Sequence, residues 1–168
     1  EKANLNIVNK ESKFEIGPFK LELINISHSI LEANSVLITF GKKKIFHTGD
    51  WKVDPKPLVG NKINEEKLKK IGDDGVLAMV CDSTNVFSFG RAGSESDVRK
   101  NMLDVMSRQK KKILVTSFAS NVARMETVFD CAKKIGRNIS LVGRSMHRIY
   151  QAARKCGYLQ NVIEPLDP

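Results

Sequence analysis

The sequence predicts an α/β protein in two parts. A β-rich layer occupies residues 1–85, and the start of an open parallel α/β sheet follows over 86–168. Three observations carry this. Up to about residue 48, apolar and polar residues alternate in short runs rich in β-formers and broken by glycine turns. From Val76 onward the pattern changes to short apolar runs alternating with stretches of helical periodicity. Capping residues stand at the ends of those stretches.

The first part reads as strands at Leu5–Val8 and Lys13–Ile16, a Gly17-Pro18 turn, and an alternating run from Phe19 to Asn25. Ser35–Phe40 and Lys44–Thr48 form a second hairpin, joined by Gly41 and lysines, and the loop from Gly49 to Asn61 holds Pro55, Pro57 and Gly60. Asn64 caps a short helix, Glu65–Ile71, that Gly72 ends. A boundary is expected near Asn85. On either side of it lie three apolar strands, Val76–Cys81, Ile113–Thr116 and Ile139–Val142. Between and after them, Ser94 with Asp97 makes a capping-box start for a helix reaching about Gln109, with Val98, Met102, Val105 and Met106 on one face. Further helices run from Asn121 to Ile135, before Gly136, and from Ser145 to Cys156, before Gly157.

Length, composition and cysteines narrow the class. The 168 residues suffice for one ordinary core or two small ones. A content of 41% hydrophobic and 28% charged residues suits a globular protein, and no apolar run nears the roughly 18 residues of a membrane span. The chain begins with Glu1 and shows no leader, so it reads as a piece of a longer product. Its 3 cysteines, Cys81, Cys131 and Cys156, form no Cys-x-x-Cys pair, which argues against a disulfide framework and fits a reducing cytoplasm. A net charge of +9 favours a polyanion such as RNA, DNA or an acidic membrane surface. The runs Lys42-Lys43-Lys44 and Lys110-Lys111-Lys112 read as ordinary loop charges.

Candidate chemistry lies at strand ends. His28 follows the strand that closes near Asn25, where scaffolds place functional side chains, although a lone His there is also an ordinary structural residue. His47-Thr48-Gly49-Asp50 closes the next hairpin. Asp50 would suit a carboxylate bridging two metal ions, and Gly-Asp is equally a plain turn. Two ligands do not complete a two-zinc centre, and the other histidines are only His47 and His147. Cys81-Asp82-Ser83-Thr84-Asn85 puts another acid at a strand end, or makes a polar turn. Ser117, Ser120 and Asn121 in Thr116–Asn121 stand at a helix start, where N–H groups and hydroxyls would face an anion or simply cap the helix. Arg144 and Ser145 in Gly143–Met146 repeat that arrangement with a cation added.

Taken in order, His28-Ser29-Ile30, His47-Thr48-Gly49-Asp50-Trp51-Lys52-Val53-Asp54, Asp82-Ser83-Thr84-Asn85, Ser117-Phe118-Ala119-Ser120-Asn121 and Gly143-Arg144-Ser145-Met146 resemble successive motifs of ribonuclease J. That family belongs to the β-CASP branch of the metallo-β-lactamase fold. The resemblance implies the second half of a metallo-β-lactamase αββα-type layer, followed by the start of a β-CASP parallel α/β domain. It implies that His28 is a zinc ligand, that Asp50 is the carboxylate shared between two zincs, and that Asp82 is the β-CASP acid. In the family this acid works with a later histidine to protonate the leaving oxygen of a cut phosphodiester.

The resemblance also implies that the family's His-x-His-x-Asp-His segment and its last histidine ligand lie outside these residues, so that the isolated chain is inactive. The intact enzyme is then expected to be a homo-oligomer acting on RNA in processing and decay, with no membrane partner. Leu31-Glu32 stands where family members commonly carry Pro-Asp, and the loop Val86–Arg91 has no matching motif. Two rivals are a non-catalytic RNA-binding or assembly piece, and a β-CASP nuclease with another nucleic-acid substrate.

Overall fold

The computed structural model describes residues 3–90 and 92–166; Arg91 and the extreme termini lie outside them. The chain divides into two compact units. One comprises Glu1–His28, Glu32–Pro55 and Asn61–Ala92, the other Ser29–Leu31, Lys56–Gly60 and Gly93–Pro168.

The first unit is built on a five-stranded sheet in sequential order: β1 (Lys13–Ile16), β2 (Phe19–Asn25), β3 (Asn34–Phe40), β4 (Lys43–His47) and β5 (Ala78–Val80). The first four strands pair antiparallel, with Leu23 opposite Val36 and Ile38 opposite Ile45. Gly17 and Gly41 turn the two hairpins at φ +55 and +56, a region open to glycine without steric cost. β5 joins β4 in parallel, and the helix α1 (Glu65–Asp74) precedes it in the crossover. Asn64 caps α1 through Lys67 N at 3.0 Å, and Lys67 ties the helix to Glu22 of β2 at 2.9 Å. The helix outlasts the expected stop at Gly72: it ends at Asp74, with Gly75 in the cap position at φ +77. Ile24, Ile26, Ala33 and Leu37 are buried in this unit.

Leu5–Val8 is not a strand. Leu5 is 88% and Ile7 97% exposed, so the β-forming residues there bury almost nothing, and propensity without packing does not hold a strand.

The second unit contains α2 (Glu95–Ser107), α3 (Val122–Lys134) and α4 (Arg144–Lys155). Ser94 and Asp97 form the expected capping box, and Asn121 accepts from Arg124 N at 2.9 Å to start α3. α2 packs on α3 through Arg99, whose guanidinium reaches Glu126 and Thr127 at 3.3 Å each, and through a two-point pairing of Arg124 with Glu95. Of Val98, Met102, Val105 and Met106, expected on one face of α2, Met106 is the one that is buried, and Val105 is 59% exposed. The core gathers Val122, Met125, Phe129, Leu141, Tyr150, Ala153 and Leu159, with Phe129 stacked on Tyr150 at 5.7 Å.

The parallel sheet expected for this unit is not formed among the described residues. Ile113–Thr116 has no ladder, and Ile139–Val142 has only a parallel bridge from Ser140 to Leu166, with Leu166 N donating to Ile139 O at 2.7 Å. A strand exists only through its neighbour, and these runs leave Leu114 93% and Val142 82% exposed. They instead border a groove of about 550 Å³, together with Met125, Phe129 and Met146.

Candidate functional site

Strand direction assembles the site. β2 and β4 both pair antiparallel to β3, so they run the same way, and β5 runs parallel to β4. The carboxyl ends of β2, β4 and β5 therefore share one edge of the sheet, and His28, Asp50 and Asp82 each follow one of those ends within three residues.

Backbone and side-chain bonds tie the three connections together. Lys52 N donates to Ser27 O at 2.8 Å, joining the residue before His28 to the turn of Asp50. Thr48 N donates to Val80 O at 2.9 Å, and the hydroxyl of buried Thr48 accepts from Asp82 N at 3.1 Å. Trp51 Nε1 donates to Asp82 O at 3.2 Å. Both backbone groups of Asp82 are thus held by the segment that carries Asp50. Motif reading missed Thr48 and Trp51 as tethers. Their only sequence signal was that they flank Gly49-Asp50.

The turn itself depends on Gly49. Its φ is +62, and a Cβ there would lie 3.0 Å from the backbone oxygen of Asn34. Both the left-handed conformation and the close approach exclude a side chain without displacement. His47 serves the same turn, its Nδ1 accepting from Gly49 N at 3.0 Å. The Asp50 side chain is exposed. His28 is half-buried, and its Nδ1 is enclosed with no hydrogen-bond partner. A buried ring nitrogen left unpaired costs free energy, which a bound cation would offset.

Thr84 sets the electrostatics of Asp82. Its hydroxyl and backbone N–H both donate to Asp82 Oδ1, at 2.5 and 2.9 Å, and hold the carboxyl below its usual range. Partial burial opposes this, and the nearby His28 adds to it.

His28 and Asp50 by themselves do not complete a metal site. Among the described residues, no three His, Cys, Asp or Glu side chains converge to hold one. His147 does not join them, since its Nε2 lies 3.0 Å from Leu141 O. The three cysteines are free and unpaired with one another.

In the second unit, Ser117 and Phe118 from the loop before α3, Val142 from the stretch before α4 and Met146 from α4 border the same groove. Ser117 Oγ donates to Phe118 O at 3.2 Å, and the Asn121 side chain is taken up in capping α3. Ser120 is exposed beside it. α4 begins at Arg144, one residue earlier than expected, with Gly143 in the cap position and no side-chain cap bond, leaving Arg144 and Ser145 exposed in its first turn. No described helix is long and apolar enough to cross a membrane.

Residues 110–166 match the family model described as ribonuclease J, beta-CASP domain. Over 158 residues, 94% of the chain is 35% identical to ribonuclease J of Sinorhizobium meliloti, covering 28% of that protein. Ribonuclease J of Corynebacterium glutamicum is 36% identical over 95% of the chain and 22% of its own length; that of Mycolicibacterium smegmatis is 38% identical over 86% and 26%. The chain thus spans about a quarter of the length of these curated relatives. A solved structure titled as a protein of unknown function from Enterococcus faecalis superposes with TM-score 0.65 at 17% identity, over 99% of this chain and 38% of that one, which shows a shared fold.

Proposed function

This chain belongs to the ribonuclease J family, and from that membership we propose that it forms part of a metal-dependent, cytoplasmic ribonuclease that hydrolyses RNA phosphodiesters in processing and decay. The observation that carries the reading is the common sheet edge at which β2, β4 and β5 deliver His28, Asp50 and Asp82. The proposed division places the partial metallo-β-lactamase layer in residues 1–85 and the partial β-CASP domain in 86–168.

His28 and Asp50 would hold two zinc ions jointly with donors from the part of the relatives' length that this chain does not span. When bound there, zinc would supply Lewis-acid polarisation of the phosphate and a water acidic enough to yield hydroxide near neutral pH. Gly49 and the tethers from Thr48 and Ser27 O fix where the Asp50 carboxylate sits, so that a bridging ligand need not be ordered when metal binds. Asp82, whose carboxyl the Thr84 hydrogen bonds hold below its usual range, would orient a neighbouring acid.

Two measurements test this. The full-length protein should cleave RNA and lose that activity to a chelator, while the 168-residue chain should retain little zinc after dialysis, because two ligands stand where about four per metal are needed. A stoichiometric zinc pair held by the chain alone would contradict the ligand assignment.

The loops of the second unit form the proposed phosphate path. Ser117, Ser120, Asn121, Arg144 and Ser145 flank helix starts whose N–H groups carry partial positive charge, and Arg144 adds a cation able to grip phosphate through two hydrogen bonds. A nucleoside monophosphate is expected to bind at about millimolar strength, weakened by salt, with amide shifts at Ser117–Asn121 and Gly143–Met146. Arg144→Ala should reduce it. Shifts spread over the lysine-rich surface and insensitive to Arg144→Ala would remove these loops from the path.

A further inference from the structure

We propose that Lys110, Lys111 and Lys112, held in place by Arg137, form a second contact surface for the RNA backbone, separate from the Ser117 and Arg144 loops. The tri-lysine run looks like loop charge in the sequence, but the fold gives it a fixed backbone. Arg137 Nη1 donates to Lys111 O at 2.7 Å, and its Nη2 donates to Gln109 O. Arg137 is itself anchored at the end of α3, its N–H donating to Ala132 O at 2.9 Å. One guanidinium therefore clamps the chain from Gln109 to Lys111, so that the lysines are presented from an ordered backbone and less ordering is left to pay on binding.

The charge balance is consistent with the same place. Several cations of this unit are paired with acids: Arg108 with Asp104 at 2.6 Å, Lys134 with Asp130 at 2.8 Å, Arg99 with Glu126 at 3.3 Å. Lys110, Lys111 and Lys112 are exposed, and no acidic side chain among the described residues pairs with them. Consecutive exposed ammonium groups carry no directional readout, which suits phosphates of a flexible strand and not a base. Lys112 and Arg137 border the start of the groove-lining stretches whose far ends carry Ser117 and Val142, so contacts here add to those at the loops.

Only the identity of the polyanion, RNA, rests on the proposed function. The test is binding of the 168-residue chain to a labelled single-stranded oligouridine of about 20 nucleotides in EDTA across a salt series, with no cleavage in the readout. Lys110→Ala/Lys111→Ala/Lys112→Ala should weaken binding about 10-fold or more near 0.1 M salt and reduce the log–log salt slope by about 2, as three lost single-strand phosphate contacts require. A charge-matched control, Lys42→Ala/Lys69→Ala/Lys70→Ala, removes three exposed lysines from the other unit and should change affinity less than about 2-fold. Equal losses in the two variants would show diffuse attraction and overturn the proposal, as would an unchanged slope in the first. Loss of cleavage by the full-length enzyme would count against the proposed function and leave this surface untouched.

Discussion

Asp50→Ala in the full-length protein should lower RNA cleavage by at least about 1,000-fold while leaving the fold intact. A carboxylate shared between two metals would hold both in register, and several kcal/mol of phosphate polarisation would depend on that register. At 1.36 kcal/mol per factor of ten, about 4 kcal/mol reaches three decades. The stability side of the prediction comes from the surroundings of Asp50. Its side chain is exposed and makes no hydrogen bond or ion pair with another described residue, so its removal should shift the unfolding midpoint by no more than about 0.5 kcal/mol in free-energy terms. His28→Ala should injure cleavage similarly but cost more stability, because its ring is half-buried with Nδ1 enclosed. Steady-state cleavage assays and denaturant titration of each variant separate the two effects. Undiminished cleavage by both variants would leave Asp50 as a turn residue and His28 as a structural one.

Phe129→Ala should destabilise the second unit by about 3–5 kcal/mol, the usual cost of emptying a large aromatic site that cannot collapse. Phe129 is 1% exposed, stacks on Tyr150 of α4, and sits among Val122 and Met125 of its own helix and Leu141 of the stretch before α4. Protection of α3 and α4 amides from exchange should fall accordingly. Leu114→Ala is the contrast: it removes a large aliphatic side chain from a run that looks like core in the sequence, yet Leu114 is 93% exposed, so the change should stay within about 0.5 kcal/mol. Similar losses from the two substitutions would mean that Ile113–Thr116 is packed and the core is drawn in the wrong place.

That contrast shows where sequence reading succeeded. The hairpins of the first unit were legible because alternation and turn chemistry act between near neighbours: Phe19–Asn25 is a strand over its expected residues, and β3 and β4 each lie within one residue of theirs. Helix starts were legible for the same reason, since Asn64, Ser94 and Asn121 bond to N–H groups two or three residues away. Leu5–Val8, Ile113–Thr116 and Ile139–Val142 share the composition of strands but lack the partners that would make them so.

The candidate site divides along the same line. Motif order along the chain was enough to single out His28, Asp50 and Asp82, because each stands in a short run of distinctive chemistry. Their meeting at one sheet edge follows from β2 and β4 running the same way around β3 and from β5 joining in parallel, a matter of long-range pairing that no local pattern encodes. The tethers from Thr48 and Trp51 to Asp82, the clearance beside Gly49 and the clamp of Arg137 on the lysine run likewise join residues 26 to 34 positions apart or approach a distant backbone. Such contacts arise only when the chain is compact, because hydrogen bonds and steric limits act over a few ångströms in space whatever the separation in sequence.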